Sequence, residues 1–329
     1  MSTVAVLGAG SWGTTLAVLL ANAGHDARLW GNDRAQLAEL ERERENRKFL
    51  AGIPLPPGVK VQPELEKALE GSEFHFYVVP SQAIREVARQ VRATGSQGVA
   101  VCASKGLELG TLRRLSEVLT EVLGDAAPVT FTGPSHAEEV ALGIPTSIVA
   151  ACADEARAQA VQVLCASPRL RVYTNDDVAG CEYGGALKNV IAIAAGICDG
   201  LGFGDNTKGA LLTRGLAEIG RLGVSMGGKR ETFFGLTGMG DLITTAMSRH
   251  SRNRHVGERL GRGESLEQVL GGMVMVAEGV TTSRAARDLG RERNVELPIT
   301  DQVCAIALEG KSPREAMQAL MSRDLKRES

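Results

Sequence analysis

The run EYGGALKNVIAIAAGI, residues 182–197, sets two strongly polar side chains, Lys188 and Asn189, in a stretch that is otherwise apolar from Gly185 to Ile197. A helix apolar on every side is a buried one, so the pattern predicts a buried ammonium. The positions three and four residues away carry Gly184, Gly185, Ile191 and Ala192, with Ala195 one turn further. Apart from Ile191 that strip is small, and a ligand or another helix can come close to the charge. An isolated buried charge is costly and finds a partner, for which Asp241 in TGMGDLITTAM is the candidate. Asp241 also fits an ordinary helix cap, because it follows a glycine-rich turn and precedes an apolar stretch. Next comes SRNR, with Ser251, Arg252, Asn253 and Arg254 near a helix start. A guanidinium fork, amide and hydroxyl donors and a helix dipole together suit a phosphate.

A second chemistry is written at the other end of the chain. TVAVLGAGSWGTTLAVLL carries G-x-G-x-x-G as Gly8, Gly10 and Gly13 between a strand and a helix. In that setting the first glycine makes the tight turn, the second lets backbone approach a pyrophosphate, and the third lets helix pack on strand. The helix start then offers N–H groups and a positive dipole end to phosphates. Choice between NAD(H) and NADP(H) turns on the end of the second strand, which reads WGNDR. Asn32 stands in the turn, Asp33 can cap the next helix, and Arg34 favours a 2′-phosphate, so the reading leans to NADP(H) with NAD(H) usable. Lys105, in ASKGLE, leaves a strand at the sheet edge where open α/β folds bind ligands. Ser135, in FTGPSHAEEV, stands three residues before Glu138 and fits a capping box, while the N–H groups beside it can bind a substrate.

These residues need a frame to hold them. Strand-like runs at 3–8, 27–30, 74–79, 98–103, 129–133, 146–151 and 170–174 alternate with helical spacing at 12–23, 82–93, 112–123 and 154–166. Such alternation predicts βαβ units and a mostly parallel sheet covered on both faces. After NDDVAG the strand signals nearly vanish and residues 180–329 read as helices separated by glycine turns. The expected division lies near Asp176–Gly180, giving an α/β domain 1–178 and an all-helical domain 179–329. The charged run ERERENRK, 41–48, is expected to be the solvated face of a helix.

Composition narrows the function. A net charge of −2 over 329 residues lacks the basic footprint of a nucleic-acid binder, so an anionic ligand must be drawn by a local cluster. Six scattered cysteines show no metal-ligand spacing and suggest free thiols in a reducing cytoplasm. The first residues lack a basic n-region, so no signal peptide is expected, and no window supplies a membrane span. A homodimer is expected from base rates alone.

Taken together, GAGSWGT, ASKGLE, GPSHAEEV, EYGGALKNVIAIAAGICDGLGFGDNTKGAL, GMGDLITT and SRNRHVG resemble the bacterial NAD(P)-dependent glycerol-3-phosphate dehydrogenases, in family order over nearly the whole chain. The resemblance implies a Rossmann-like domain followed by an all-helical one, and reversible reduction of dihydroxyacetone phosphate to sn-glycerol 3-phosphate for phospholipid synthesis. By it Lys188 is the catalytic acid/base. Lys105, Gly133, Ser135, Asp241, Ser251, Arg252 and Asn253 match substrate positions. Ser11, Trp12, Lys105, Ala137, Arg252, Val276 and Glu278 match cofactor positions, with no metal implied. Asn32 departs from the family's usual histidine or arginine, and Cys181 and Tyr183 stand where aliphatic residues are usual. Two other readings share the fold: a β-hydroxyacid or 6-phosphogluconate-type dehydrogenase, and a dinucleotide-binding sensor without turnover.

Overall fold

The computed structural model describes all residues except 126, 274, 275, 326, 328 and 329, and none of the candidate site residues is among those six. The chain divides into two compact units, Met1–Glu182 and Tyr183–Ser329.

In the first unit the strands are β1 (Thr3–Leu7), β2 (Asp26–Trp30), β3 (Glu45–Asn46), β4 (Leu50–Pro54), β5 (Val59–Val61), β6 (Phe74–Tyr77), β7 (Val99–Cys102), β8 (Val129–Thr132), β9 (Thr146–Ala151) and β10 (Leu170–Asn175). Eight of them form one sheet in the order β10-β9-β8-β7-β6-β1-β2-β5. Pairing is parallel throughout except at β8–β9, so β9 and β10 run against the other six. The short hairpin β3–β4 stands apart from this sheet. Between the strands run α1 (Ser11–Asn22), α2 (Arg34–Glu43), α3 (Leu65–Leu69), α4 (Ile84–Thr94), α5 (Leu115–Leu123), α6 (Ala137–Ala141) and α7 (Glu155–Cys165).

The two-residue period of β1 shows why both faces are covered. Val4 and Val6 join Leu16, Leu20, Leu29 and Phe76 in one core, while Ala5 and Leu7 join Tyr77, Ile84, Ala100 and Cys102 in the other. Strand order reverses between β1 and β6, and at that switch point the carboxyl ends of both strands open a crevice.

The seven expected strands and four expected helices are present within a few residues. Strands β3, β4 and β5 are additions, and with them the reading of 41–48 as one helix face is corrected. Helix α2 stops at Glu43, where Arg44 enters the left-handed region at φ 52°, and the chain turns into β3.

The division between units falls inside α8 (Val178–Gly200). The second unit continues through α9 (Asp205–Ser225), α10 (Asp241–Met247), α11 (Arg252–Gly261), α12 (Leu266–Gly271), α13 (Glu278–Arg293), α14 (Pro298–Glu309) and α15 (Pro313–Met321), with no strand among its described residues. Small residues let α8 and α11 meet backbone to backbone. A Cβ on Gly196 would lie 1.9 Å from the Arg254 carbonyl oxygen, and one on Gly257 would lie 2.0 Å from that of Ile193. The C-terminal half of α8 is therefore a helix-packing surface at Gly196 and Gly200. All six cysteines are buried free thiols.

Candidate active site

The glycine loop in the first unit divides its labour as the motif requires. Gly8 adopts φ +131°, and a Cβ there would strike the Val78 carbonyl oxygen at 2.3 Å. Gly13 lies still closer, 1.8 Å from a Cβ to the Gly8 carbonyl oxygen, whereas Gly10 has nothing within 4 Å. The first and third glycines thus let protein pack on protein, and the second leaves open space. Gly10 is the N-cap of α1, and no side chain caps the helix there. The first N–H groups of α1, at Ser11, Trp12 and Gly13, have no acceptor within the helix, which makes its start an anion site. This cradle and uncapped helix end fit the pyrophosphate of a dinucleotide.

Around the loop the remaining cofactor candidates are held by contacts the sequence did not announce. Thr15 Oγ1 donates to the Ala137 carbonyl oxygen at 3.1 Å, which joins α1 to the start of α6. Trp12 and Ala137 pack with Leu50 and Ile53 of β4 in a small satellite core. Asn46, only 2% exposed, donates from Nδ2 to the Ala9 carbonyl oxygen at 3.0 Å and to Thr14 Oγ1 at 2.7 Å. Gln36 Nε2 reaches the same Ala9 oxygen at 2.7 Å. Neither amide was legible, because Asn46 sits inside the charged run and Gln36 looks like any polar helix residue.

At the end of β2, Asn32 and Arg34 line a cleft of about 560 Å³ together with Trp30, Gly31 and Glu64. Asp33 takes the capping role, its Oδ1 accepting from Gln36 N at 3.0 Å. Arg34 is exposed and pairs with Glu64 at 3.2 Å. Such an exposed pair contributes little and leaves the guanidinium exchangeable.

Lys105, Gly133 and Ser135 converge at the carboxyl ends of β7 and β8. Lys105 Nζ donates to the Gly133 carbonyl oxygen at 2.8 Å, and Ser135 Oγ donates to the same oxygen at 2.9 Å. The capping-box reading of Ser135 is therefore corrected: His136 is the N-cap of α6, without a side-chain bond, and the Ser135 hydroxyl is committed to Gly133. Ser104 Oγ bonds the Val79 carbonyl oxygen at 2.6 Å, which sets Lys105 beside the loop that backs Gly8.

In the second unit Lys188 is 5% exposed and its Nζ lies 3.0 Å from Asp241 Oδ1 and 2.5 Å from Thr245 Oγ1. Asp241 is 2% exposed and accepts from Thr245 as well, at 3.2 Å. The cap reading of Asp241 is excluded, since Gly240 occupies the N-cap and the carboxylate turns to Lys188. Thr245 stands one turn after Asp241 on α10, a four-residue spacing that puts both on one face.

The adjacent Asn189 accepts at Oδ1 from Asn253 Nδ2 at 2.9 Å, and Asn253 Oδ1 in turn accepts from Gly279 N at 2.9 Å. Ser251 caps α11 through Arg254 N. Arg252 is exposed and its Nη1 bonds the Val276 carbonyl oxygen at 2.9 Å, two residues before Glu278 opens α13. Ser251, Arg252, Asn253, Val276 and Glu278 are thus gathered around one junction of α11 and α13. Arg254 is not part of it, being tied to Asp199 at 2.7 Å. Thr245 is the addition here, signalled only by its spacing from Asp241, while Asn189 stood out in its apolar run without disclosing Asn253 as its partner. Among the described residues no group of three or more His, Cys, Asp or Glu side chains is placed to hold a metal ion.

The chain as a whole is similar to known proteins. Residues 3–158 match the model of the NAD-dependent glycerol-3-phosphate dehydrogenase N-terminus, and residues 177–318 match that of the C-terminus. The chain is 50% identical to a glycerol-3-phosphate dehydrogenase, NAD(P)+, of Pelodictyon phaeoclathratiforme, over 99% of each chain. It is 51% identical to one from Geobacter sulfurreducens, over 99% of this chain and 98% of that one. The crystal structure of glycerol-3-phosphate dehydrogenase from Coxiella burnetii superposes with a TM-score of 0.94 at 38% identity, covering 98% of this chain and 99% of that one.

Proposed function

Because the chain belongs to the NAD-dependent glycerol-3-phosphate dehydrogenase family, we propose that it reduces dihydroxyacetone phosphate to sn-glycerol 3-phosphate, reversibly, with NADPH or NADH, and so feeds glycerophospholipid synthesis. The observation that carries the proposal is the buried ammonium of Lys188, held between Asp241 and Thr245. A dinucleotide held at the Gly8–Gly13 loop would supply the hydride from its nicotinamide. As negative charge grows on the ketone oxygen, Lys188 stabilises it and donates the proton that makes the alcohol, then regains one from water. Asp241 and Thr245 fix the ammonium in position, so little reorganisation accompanies the step.

Lys105, Gly133, Ser135, Asp241, Ser251, Arg252 and Asn253 are assigned to the substrate, with Arg252 and Asn253 gripping the phosphate and turning remote binding energy into orientation. Gly8, Gly10, Ser11, Trp12, Gly13 and Ala137 are assigned to the dinucleotide, as are Lys105, Arg252, Val276 and Glu278. Asn32 and Arg34 are assigned to its ribose end, where Arg34 would meet a 2′-phosphate.

We further propose a cytoplasmic homodimer. No described helix is long and apolar enough to cross a membrane. The second unit carries a groove of about 1650 Å³ lined by exposed apolar side chains such as Val224, Phe234, Met239 and Ile243, which suits a subunit contact. Light scattering that gave the mass of one chain would reject the dimer. The reaction is tested by oxidation of NADPH and NADH in the presence of dihydroxyacetone phosphate, measured by absorbance for the wild type and for Lys188→Ala. Turnover only in the wild type is expected; no turnover in either, with nicotinamide bound, would reject the substrate assignment.

A further inference from the structure

We propose that Gln36 and Asn46 are positioning residues for the dinucleotide: by donating to the Ala9 carbonyl oxygen they stop the Ala9–Gly10 peptide from turning over. This rests on the reading of the glycine loop as a dinucleotide site.

Ala9 lies between Gly8 and Gly10, and glycine constrains φ and ψ less than any other residue. Turning over the peptide plane between Ala9 and Gly10 takes a coupled change in ψ of Ala9 and φ of Gly10, and Gly10 has no side chain to oppose it. In a trans peptide the C=O and N–H point opposite ways, and no cis bond occurs among the described residues. Fixing the Ala9 oxygen fixes the direction of the Gly10 N–H with it. A plane turned over would present the carbonyl oxygen, with its partial negative charge, where the N–H had been, and an approaching pyrophosphate would meet repulsion instead of a donor.

Two amides prevent that turn, from two different elements. Gln36 reaches Ala9 O from α2 at 2.7 Å, and Asn46 reaches it from β3 at 3.0 Å. Asn46 is itself locked: its Oδ1 accepts from Phe49 N at 3.3 Å, and its Nδ2 also holds Thr14 Oγ1. The hairpin that carries it is anchored through Leu50 and Ile53 against Trp12 and Ala137. The segment 45–54 thus straps the glycine loop from outside while the Gly10 side stays open.

Each bond to a neutral acceptor is worth enough to change dinucleotide affinity by about three- to tenfold. Gln36→Met keeps the side-chain length without the donor, and Gln36→Glu sets a carboxylate against the carbonyl. Gln36 is only partly buried, so both variants should fold; Asn46→Asp, isosteric but buried, is the second series. Dissociation constants for NADH and NADPH are read from nicotinamide fluorescence on the full chain, beside the melting temperature without ligand and the steady-state constants. Gln36→Met should raise both dissociation constants by the same factor, since the pyrophosphate is common to both, and Gln36→Glu should raise them further. The melting temperature should hold, and KM for the dinucleotide should rise while kcat at saturation does not fall. Unchanged dissociation constants in both Gln36 variants would overturn the proposal, as would a rise for one dinucleotide only. A wild type that bound neither dinucleotide would overturn the cofactor reading itself, and this proposal with it.

Discussion

The glycine loop and the Lys188 helix both depend on glycine, for opposite reasons. At Gly10 the missing side chain leaves a space that nothing in the protein fills, and the groups offered there are backbone N–H. At Gly184, one turn before Lys188, the missing side chain is filled at once by the Thr237 backbone, whose carbonyl oxygen would lie 2.8 Å from a Cβ just ahead of α10, and the chemical groups are side chains caged beside that packing. One region keeps backbone exposed for a ligand; the other uses close-packed backbone to hold an ammonium, a carboxylate and a hydroxyl in one place. Substitutions should therefore separate binding from fold in the first region and chemistry from fold in the second.

The largest separation is expected at Lys188. Lys188→Ala should lower kcat by about 10³-fold, in the range of a lost general acid, while NADH affinity by fluorescence stays within twofold of wild type. A variant with near wild-type kcat would remove the proposed role and leave the residue as a packed ion.

Stability gives the next contrast. Removing one member of a buried ion pair leaves the other without its counter-charge, at a cost of about 3–5 kcal/mol, so Asp241→Ala should melt well below wild type. Replacing both, as Lys188→Met with Asp241→Leu, should recover most of that loss while activity stays absent. If the double variant were as unstable as the single one, the pair would be holding the fold, and the division between chemistry and packing would fail.

A second buried carboxylate in the same unit sharpens the point, since it carries no assigned chemistry. Glu218 accepts from Ile299 N at 2.5 Å and from Thr300 N and Oγ1, each at 3.2 Å, at the start of α14. Burial pushes its pKa from 4.5 up to about 7 against those bonds, and Arg221 is the cation that partly opposes the rise. Because the folded value is the higher one, its contribution to stability is complete below about pH 4.5 and is lost as pH rises through 7. The loss amounts to about 3 kcal/mol at most. Denaturant titrations across that window should show wild type losing stability relative to Glu218→Gln as pH rises. A difference independent of pH would mean that the carboxyl does not titrate there.

What the sequence disclosed follows the range of the forces involved. The Gly8, Gly10, Gly13 triplet and the apolar run around Lys188 are local patterns, and both regions fold where those patterns put them. The partnership of Lys188 with Asp241 spans 53 residues yet was inferable, because a buried charge demands a counter-charge. A neutral amide demands no counter-charge, so Asn46 and Gln36 stayed hidden, and Asn189, conspicuous in its apolar run, gave no sign that Asn253 would be its partner. Strands β3 and β5 are two and three residues long, too short for a two-residue period to register. Ser135 shows the opposite failure: S-x-x-E fits a cap, but the five-residue α6 starts later and the hydroxyl turns to Gly133.

The smallest expected effects lie within the glycine loop, where the first region can be set against itself. Gly13→Ala places a Cβ 1.8 Å from the Gly8 carbonyl oxygen, a backbone atom that cannot swing aside. The helix must shift off the strand, at a cost of about 1–3 kcal/mol by the measure of overpacked cores. Gly10→Ala meets nothing within 4 Å, and Gly10 already has an extended backbone, φ −78° and ψ −174°, that alanine adopts without strain. Its melting temperature without ligand should match wild type, while the methyl group stands where backbone must approach the pyrophosphate and weakens NADH binding by about tenfold. Thermal melts and fluorescence titrations of the two variants should thus give opposite patterns. Gly10→Ala with full affinity would place the pyrophosphate elsewhere, and the open space beside Gly10 would then have no bearing on the cofactor.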